Sequence, residues 1–205
     1  MSAIAAVILA GGRSSRMGGG DKGLLEIAGR PMLTRIIERI SPDVQQMAIN
    51  ANGDPARFAA FSLPVVADNQ QTFDGPLAGV FSALQWAGGE GFDRVLTLAG
   101  DTPFFPADLA TRLSEAASTS TIAVAASRGR LHPAFAIWPT ALTQDLDSQL
   151  AKGRRRVADF IERHPNARIE FPDVDLSGEM LDPFFNINTP DDLAEARRIA
   201  NRLEP

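Results

Sequence analysis

The chain has 205 residues, enough for one domain that buries roughly 70% of its unfolded surface, and its 44% apolar and 22% charged content excludes a disordered, collagenous or coiled-coil chain. Twenty Lys plus Arg against 25 Asp plus Glu leave a net charge of −5, which argues against nucleic acid or an anionic membrane as partner, so an anionic ligand must be met by local charge. The absence of cysteine excludes disulfide frameworks, thiolate zinc sites, iron–sulfur clusters and cysteine nucleophiles, and is compatible with a reducing cytosol.

From Ala3 to Leu9 the run AIAAVIL is continuously apolar and is followed by glycines, the pattern of a strand buried on both faces of a parallel sheet. It has no basic flank before it and is too short for a signal core or a membrane span, so the expected location is cytoplasmic. Pro31 opens a segment with Leu33, Ile36, Ile37 and Ile40 on one helical face, stopped by Ser41-Pro42. A second strand is predicted over Val44 to Asn50, a short helix over Pro55 to Phe61, and a third strand over Leu63 to Ala67, ending at Asp68. Val80, Phe81, Leu84 and Ala87 form the stripe of a helix from Leu77 to Ala87, with Gly88-Gly89 as terminator. Arg94 to Ala99 is a fourth strand, ending at Gly100-Asp101.

This alternation predicts an α/β fold of three layers, α/β/α, with a Rossmann-like, mostly parallel sheet and right-handed crossovers. The later half is less regular. It offers a helix over Ala107 to Ala117, strands over Thr121 to Ala126 and Leu131 to Trp138, and helices over Thr140 to Leu150 and Arg156 to Arg163. A last helix begins at Thr189-Pro190-Asp191-Asp192, where Thr caps, Pro takes the first helical position and two acids meet the dipole, and it runs to about Arg202. No repeat or low-complexity linker divides the chain.

The four early strands end at Ala10-Gly11, Asn50, Asp68 and Asp101, and the carboxyl ends of strands form the ligand crevice of an open parallel sheet. Taken singly, Asn and Asp after a strand are also common turn formers. Their coincidence on one rim favours a site. The loop Gly11 to Gly23, GGRSSRMGGGDKG, offers backbone N–H groups and the cations Arg13, Arg16 and Lys22 to an anionic chain, so a polyphosphate is its natural guest. It is not a P-loop, because no Gly-Lys-Ser/Thr occurs, and Lys22 opens no obvious helix. Gly18 to Gly23 fits GxGxxG by letter only, since it starts late after the strand and no acid ends the second strand to hold a ribose.

Asp101 in LAGDTPF stands at a strand mouth with Pro103 fixing the next turn, a rigid place for a carboxylate that holds a hard divalent cation, Mg²⁺ with phosphate oxygens fitting best; a turn-capping aspartate is the competing reading. His132 and His164 lack ligand spacing, which argues against zinc, and His132 before Pro133 reads as structural. Neither a GxSxG elbow nor a pointer to a serine triad is present. KGRRRV, Lys152 to Val157, reads either as a site for an acceptor phosphate or as a solvated helix start. Asn186 and Asn188 in FFNINTPDD either shape a turn or face a second substrate.

LAGGRSSRMGGGDKGLL, AINAN, GPLAG at Gly75 to Gly79, LAGDTPF, HPAFAI, GRRRV and NINTPDDL, in that order, together resemble the molybdenum cofactor guanylyltransferases, with the likeness running from about Ile4 to Arg202. The resemblance implies a sheet of the nucleotidyltransferase type in a single domain, with a nucleotide-binding half over about residues 1–110 and an acceptor-binding half over about 120–205. It implies that Leu9, Ala10, Gly11, Lys22, Asn50, Asp68 and Asp101 contact GTP and that Asp101 also holds magnesium. The implied reaction is attack by the terminal phosphate of molybdopterin on the α-phosphorus of GTP, with release of pyrophosphate.

In that reaction Lys22 and Arg16 would neutralise the triphosphate and the loop amides, Gly12 among them, would hold its outer groups. Backbone around Leu9 and Gly75 to Gly79, Pro76 and Leu77 among them, with Asn50, would read the guanine edge, while Asp68 would accept from a base N–H or a ribose hydroxyl. Arg155, Arg156, Asn186 and Asn188 become candidate contacts to molybdopterin, delivered by other cofactor-assembly proteins. The alternatives are a molybdopterin cytidylyltransferase, a sugar-phosphate nucleotidyltransferase and, from other classes, a non-catalytic nucleotide-binding module or an NAD-dependent oxidoreductase.

Overall fold

The opening apolar run becomes strand β1 (Ala5–Leu9) in the computed structural model, which describes residues 4–11, 21–68, 76–176 and 178–203. Along β1, Ala6 and Ile8 enter one core cluster while Ala5 and Val7 enter another. Both faces are therefore covered, which is why the strand needs no polar alternation.

The remaining elements are hairpin strands β2 (Glu26–Ile27) and β3 (Arg30–Pro31), helix α1 (Met32–Ile40), β4 (Gln46–Asn50), β5 (Val65–Val66), α2 (Pro76–Gly89), β6 (Arg94–Ala99) and α3 (Leu109–Ala116). They continue with β7 (Ile122–Ser127), β8 (Arg130–Pro139), α4 (Thr143–Ala151), α5 (Val157–Glu162), β9 (Asn166–Glu170), the ribbon β10 (Val174–Leu176) and β11 (Glu179–Leu181), and α6 (Pro190–Leu203). The first core cluster holds Leu33 and Ile36 of α1, Leu109 and Leu113 of α3, and Ile199 of α6. The second holds Val80 and Leu84 of α2, Leu146 of α4 and Phe160 of α5. Two helical layers thus sandwich the sheet, as the alternation predicts.

The main sheet has seven strands in the order β5-β4-β1-β6-β8-β7-β9. β4 and β6 flank β1 in parallel, β5 extends β4 in parallel, and only β8 runs antiparallel, against both β6 and β7. From β1 the chain passes to β4 and β5 on one side, then returns through α2 to β6 on the other. That reversal opens a crevice at the carboxyl ends of β1 and β6, the place where open α/β sheets take ligands.

Several boundaries differ from expectation. The third strand, expected over Leu63 to Ala67, is only Val65–Val66; the helix expected from Thr140 begins as a 3-10 turn and becomes α-helical at Thr143; and Lys22–Leu24, expected to open no helix, forms one 3-10 turn. Among the described residues, no helix is long and apolar enough to cross a membrane.

Candidate active site

At the end of β1 the backbone continues the sheet for one more step. Ala10 N donates to Asn50 O at 2.8 Å, and Gly100 N donates to Leu9 O at 3.0 Å. A Cβ on Gly100 would meet that same Leu9 oxygen at 3.0 Å and the Ala10 Cα at 3.2 Å, so glycine is what lets β1 and β6 close together at the crevice. Asp101 follows immediately.

On the β6 side, the Lys22 ammonium lies 2.6 Å from Asn188 Oδ1 and 3.4 Å from Asp101 Oδ2. An ammonium has three donors, so among the described residues one remains for a ligand oxygen. Asp101 is lightly engaged: besides Lys22, Thr102 Oγ1 donates to its Oδ1 at a long 3.3 Å. Its main-chain oxygen accepts from Ile187 N at 2.9 Å, tying the residue to the approach of α6. That helix starts as expected: Asp192 N donates to Thr189 Oγ1 at 3.1 Å while Asp192 Oδ2 accepts from Thr189 N at 2.8 Å and Asn188 N at 2.9 Å, a reciprocal cap. Burial pushes the Asp192 carboxyl up, but the hydrogen bonds from Asn188 and Thr189 and the nearby Lys22 charge outweigh it and hold the group below its ordinary value.

On the β4 side, Asp68 is a hub. Its Oδ1 accepts from Asn50 Nδ2 at 2.8 Å and Ser82 Oγ at 3.1 Å, and its Oδ2 accepts from Asn52 Nδ2 at 3.0 Å. Asn52 Oδ1 returns an acceptor to Asp68 N at 2.8 Å. Asn50 Nδ2 also donates to Val66 O at 3.1 Å. Because both of its partners can only accept, the amide orientation of Asn50 is fixed and its Oδ1 is turned away from them, toward Gly79 and Gly11. A Cβ on Gly79 would stand 2.8 Å from that oxygen. Arg57 joins the two sides: its guanidinium is 3.2 Å from Asp21, next to Lys22, and donates to Asn52 O at 2.6 Å, while lying over the Phe58 ring.

A family model described as the MobA-like NTP transferase domain matches residues 6–168. The chain belongs to this family. A molybdenum cofactor guanylyltransferase of Mesorhizobium japonicum is 52% identical over 204 residues, covering 98% of this chain and 97% of its own. One from Rhizobium meliloti is 51% identical, covering 97% and 93%. The molybdopterin-guanine dinucleotide biosynthesis protein A of Archaeoglobus fulgidus is 22% identical and shares the fold, with a TM-score of 0.72 over 97% of this chain and 99% of that one.

Within this MobA-like domain the structure brings Leu9, Ala10, Gly11, Lys22, Asn50, Asp68 and Asp101 to the carboxyl edge of β1, β4, β5 and β6. Gly12, Arg13, Arg16 and Gly75 lie outside the described residues. Pro76 begins α2, and Leu77 is wholly buried in the second core cluster. Asn188, left open by the sequence, is in the site; Asn186 makes no side-chain hydrogen bond among the described residues, and it stands two positions earlier on the same segment. Arg155 and Arg156 lie in the turn between α4 and α5, with Arg156 exposed and 3.7 Å from Asp159. Asn52, Arg57 and Ser82 were not read from the sequence as site residues; Asn52 alone had a signal, standing two places after Asn50 on the same rim.

Proposed function

We propose that this MobA-like nucleotidyltransferase transfers GMP from GTP to the terminal phosphate of molybdopterin or molybdenum-molybdopterin, forming the molybdopterin guanine dinucleotide and releasing pyrophosphate. The names of relatives 46–52% identical over nearly the whole chain support the reaction. The observation that carries it is the meeting of Lys22, Asp101 and Asn188 at the topological reversal, with the Asn50–Asp68 pair on the neighbouring strands.

An oxygen of the acceptor phosphate attacks the α-phosphorus, the bond to the β-phosphate oxygen breaks, and its electrons leave with pyrophosphate. The acceptor phosphate is already ionised, so the chain needs no general base and no covalent nucleophile. Alignment and charge neutralisation are what remain to be supplied. The spare Lys22 N–H donates to a phosphate oxygen, Arg16 adds positive charge, and loop amides hold the outer phosphates.

Asp101 fits a hard divalent cation, because among the described residues only two long contacts occupy its carboxylate. Among the described residues no group of three or more His, Asp and Glu forms a metal cage, and magnesium characteristically takes one or two carboxylates together with substrate phosphates. Mg²⁺ held by Asp101 would neutralise the triphosphate and polarise its α-phosphoryl group.

Asn50 Oδ1 offers an acceptor to the N1–H and amino edge of guanine, and Asp68 Oδ2 retains capacity for a base N–H or ribose hydroxyl. Adenine turns an acceptor toward that same edge and would leave a buried group unpaired. In this reading about residues 1–110 carry the nucleotide and about 120–205 the acceptor, with Arg155, Arg156 and Asn186 toward molybdopterin, and the reaction takes place in the cytoplasm with cofactor-assembly proteins delivering the acceptor.

Thermal-shift titration with Mg²⁺ and GTP, CTP, UTP or ATP tests the base preference. Stabilisation by GTP at least about tenfold lower in concentration than by the others is expected; preference for CTP would replace the reading with a cytidylyltransferase.

A further inference from the structure

We propose that Ser127 and His132, which lie outside the nucleotide rim on β7 and β8, are positioning residues for Lys22, because they pin the segment 182–188 whose Asn188 grips the ammonium. The inference rests on the proposed function for its kinetic consequence and on geometry alone for its structural one.

The pin begins at a break in strand register. Opposite the step from Val124 to Ala125, the β8 partner jumps from Ala136 to His132, so Pro133, Ala134 and Phe135 are left out of the pairing, Pro133 having no N–H for the ladder. Its Nε2 lies 2.7 Å from Ser127 Oγ, and the Ser127 hydroxyl donates to Asp182 Oδ1 at 2.8 Å. A hydroxyl has one proton, and this one is given to the carboxylate, so His132 carries its proton on Nε2 and donates to Ser127. Asp182 Oδ1 also accepts from Phe184 N at 3.0 Å, which closes the turn at Asp182-Pro183-Phe184. The imidazole stacks on the Phe184 ring, centroids 4.4 Å apart, and Phe184 packs in turn against Phe135 and Phe171.

The other end of the segment is held by the Asp192 cap of α6. Between the two anchors, Ile187 N bonds the main chain of Asp101 at 2.9 Å and Asn188 Oδ1 takes Lys22 at 2.6 Å. Displacing the segment would therefore move both groups that face the phosphates. A misplacement of about 1 Å costs catalysis severely even when the lost contact is remote from the reacting atoms.

Ser127, His132 and Asp182 are the residue types of a hydrolytic triad, but their connection is different. The carboxylate bonds the hydroxyl and not the imidazole, and Ser127 is 1% exposed, so no nucleophile is generated or presented. What the cluster does is hold the segment.

The test is a double-mutant cycle on the full chain, with kcat and KM for GTP measured in GMP transfer to molybdopterin for wild type, His132→Ala, Asn188→Ala and the double variant. If His132 acts through Asn188, His132→Ala lowers kcat about tenfold with KM nearly unchanged, and the double variant is no slower than Asn188→Ala. His132→Gln, which retains an N–H donor, restores at least about half of the lost rate. Multiplicative losses in the double variant, or wild-type kcat in folded His132→Ala, overturn the proposal. Amide hydrogen exchange without nucleotide gives a second readout: Phe184 and Ile187 should exchange at least about tenfold faster in His132→Ala and in the milder Ser127→Ala, with the middle of α6 unchanged. Unchanged exchange at these amides equally overturns it. Exchange needs no turnover, so a wild-type protein inactive toward GTP would sink the functional reading while the anchoring is still decided.

Discussion

Lys22 Nζ lies 2.6 Å from Asn188 Oδ1 across 166 positions of sequence. The end of the crevice proposed to hold the phosphates is thus assembled from the turn that carries Lys22, the mouth of β6 and the approach to α6. A neutral amide holds the ammonium in place without cancelling its charge. Asn188→Asp keeps the shape but places a second carboxylate beside Lys22. The KM for GTP should rise about tenfold at low ionic strength, with the difference from wild type shrinking as salt is added. A salt-independent KM would contradict the electrostatic role.

In the proposed reading, Gly79 and Asn50 set the base side. A methyl group at Gly79 would lie 2.8 Å from Asn50 Oδ1 and 3.2 Å from Leu9 Cδ2, and Asn50 is pinned from behind by Asp68 and Val66. Gly79→Ala should raise the KM for GTP about tenfold, the equivalent of roughly one displaced hydrogen bond, with a smaller effect on kcat and little change in melting temperature. Steady-state kinetics with a thermal melt checks both, and an unchanged KM would remove Asn50 from base recognition.

Arg57 links the Asp21-Lys22 turn to the Asn52–Asp68 network. The Asp21 pair is partly exposed, so its loss should cost at most about 1 kcal/mol, or about 2–4 °C in melting temperature. The effect on the KM for GTP should be larger in proportion, about three- to tenfold, because both halves of the crevice lose a common brace. Calorimetric melts and GTP titrations of Arg57→Ala test this.

His132 gives the fold a pH signature. Burial pulls its imidazole below the usual 6.5, Arg130 adds to this, and the Asp182 and Glu170 charges oppose it. The unfolded chain takes up the proton near pH 6.5 and the folded chain only at lower pH, so this contribution to stability is present above 6.5 and is lost as pH falls toward the folded value. Melting temperature should decline below pH 6.5 in wild type, and His132→Gln should flatten that part of the profile. At lower pH, Glu179 and Asp173, held below their ordinary values by hydrogen bonds from Arg198 and Arg128, withdraw their own contributions as they are protonated.

The rim was legible in the sequence because β1 and β6 are buried, mostly apolar strands and β4 is buried over its last three residues, and each is followed or closed by a polar or glycine residue at the rim. Strand β9 was missed for the opposite reason: NARIE is an edge strand paired only with β7, half polar and with no apolar run to announce it. The β2–β3 hairpin escaped because its strands are two residues long and its turn, Ala28-Gly29, takes φ of +49° and +73° without the Asn or Asp that marks such turns. The Asp68 hub and the Ser127–His132–Asp182 pin join residues on separate elements whose sequence spacing follows no helical or strand period. Only topology brings them together. Asn186 and Asn188 were indistinguishable as letters, and the cap of α6 with the Lys22 contact is what separates them.

The central claim is that the Lys22–Asp101 end of the crevice aligns a guanosine triphosphate for attack by an acceptor phosphate. Purified chain incubated with molybdopterin-loaded carrier, Mg²⁺ and labelled GTP should yield the labelled dinucleotide and one pyrophosphate for each, and Lys22→Ala should lower turnover about 100- to 1000-fold. Absence of dinucleotide from the wild-type chain, or full turnover in folded Lys22→Ala, would contradict it.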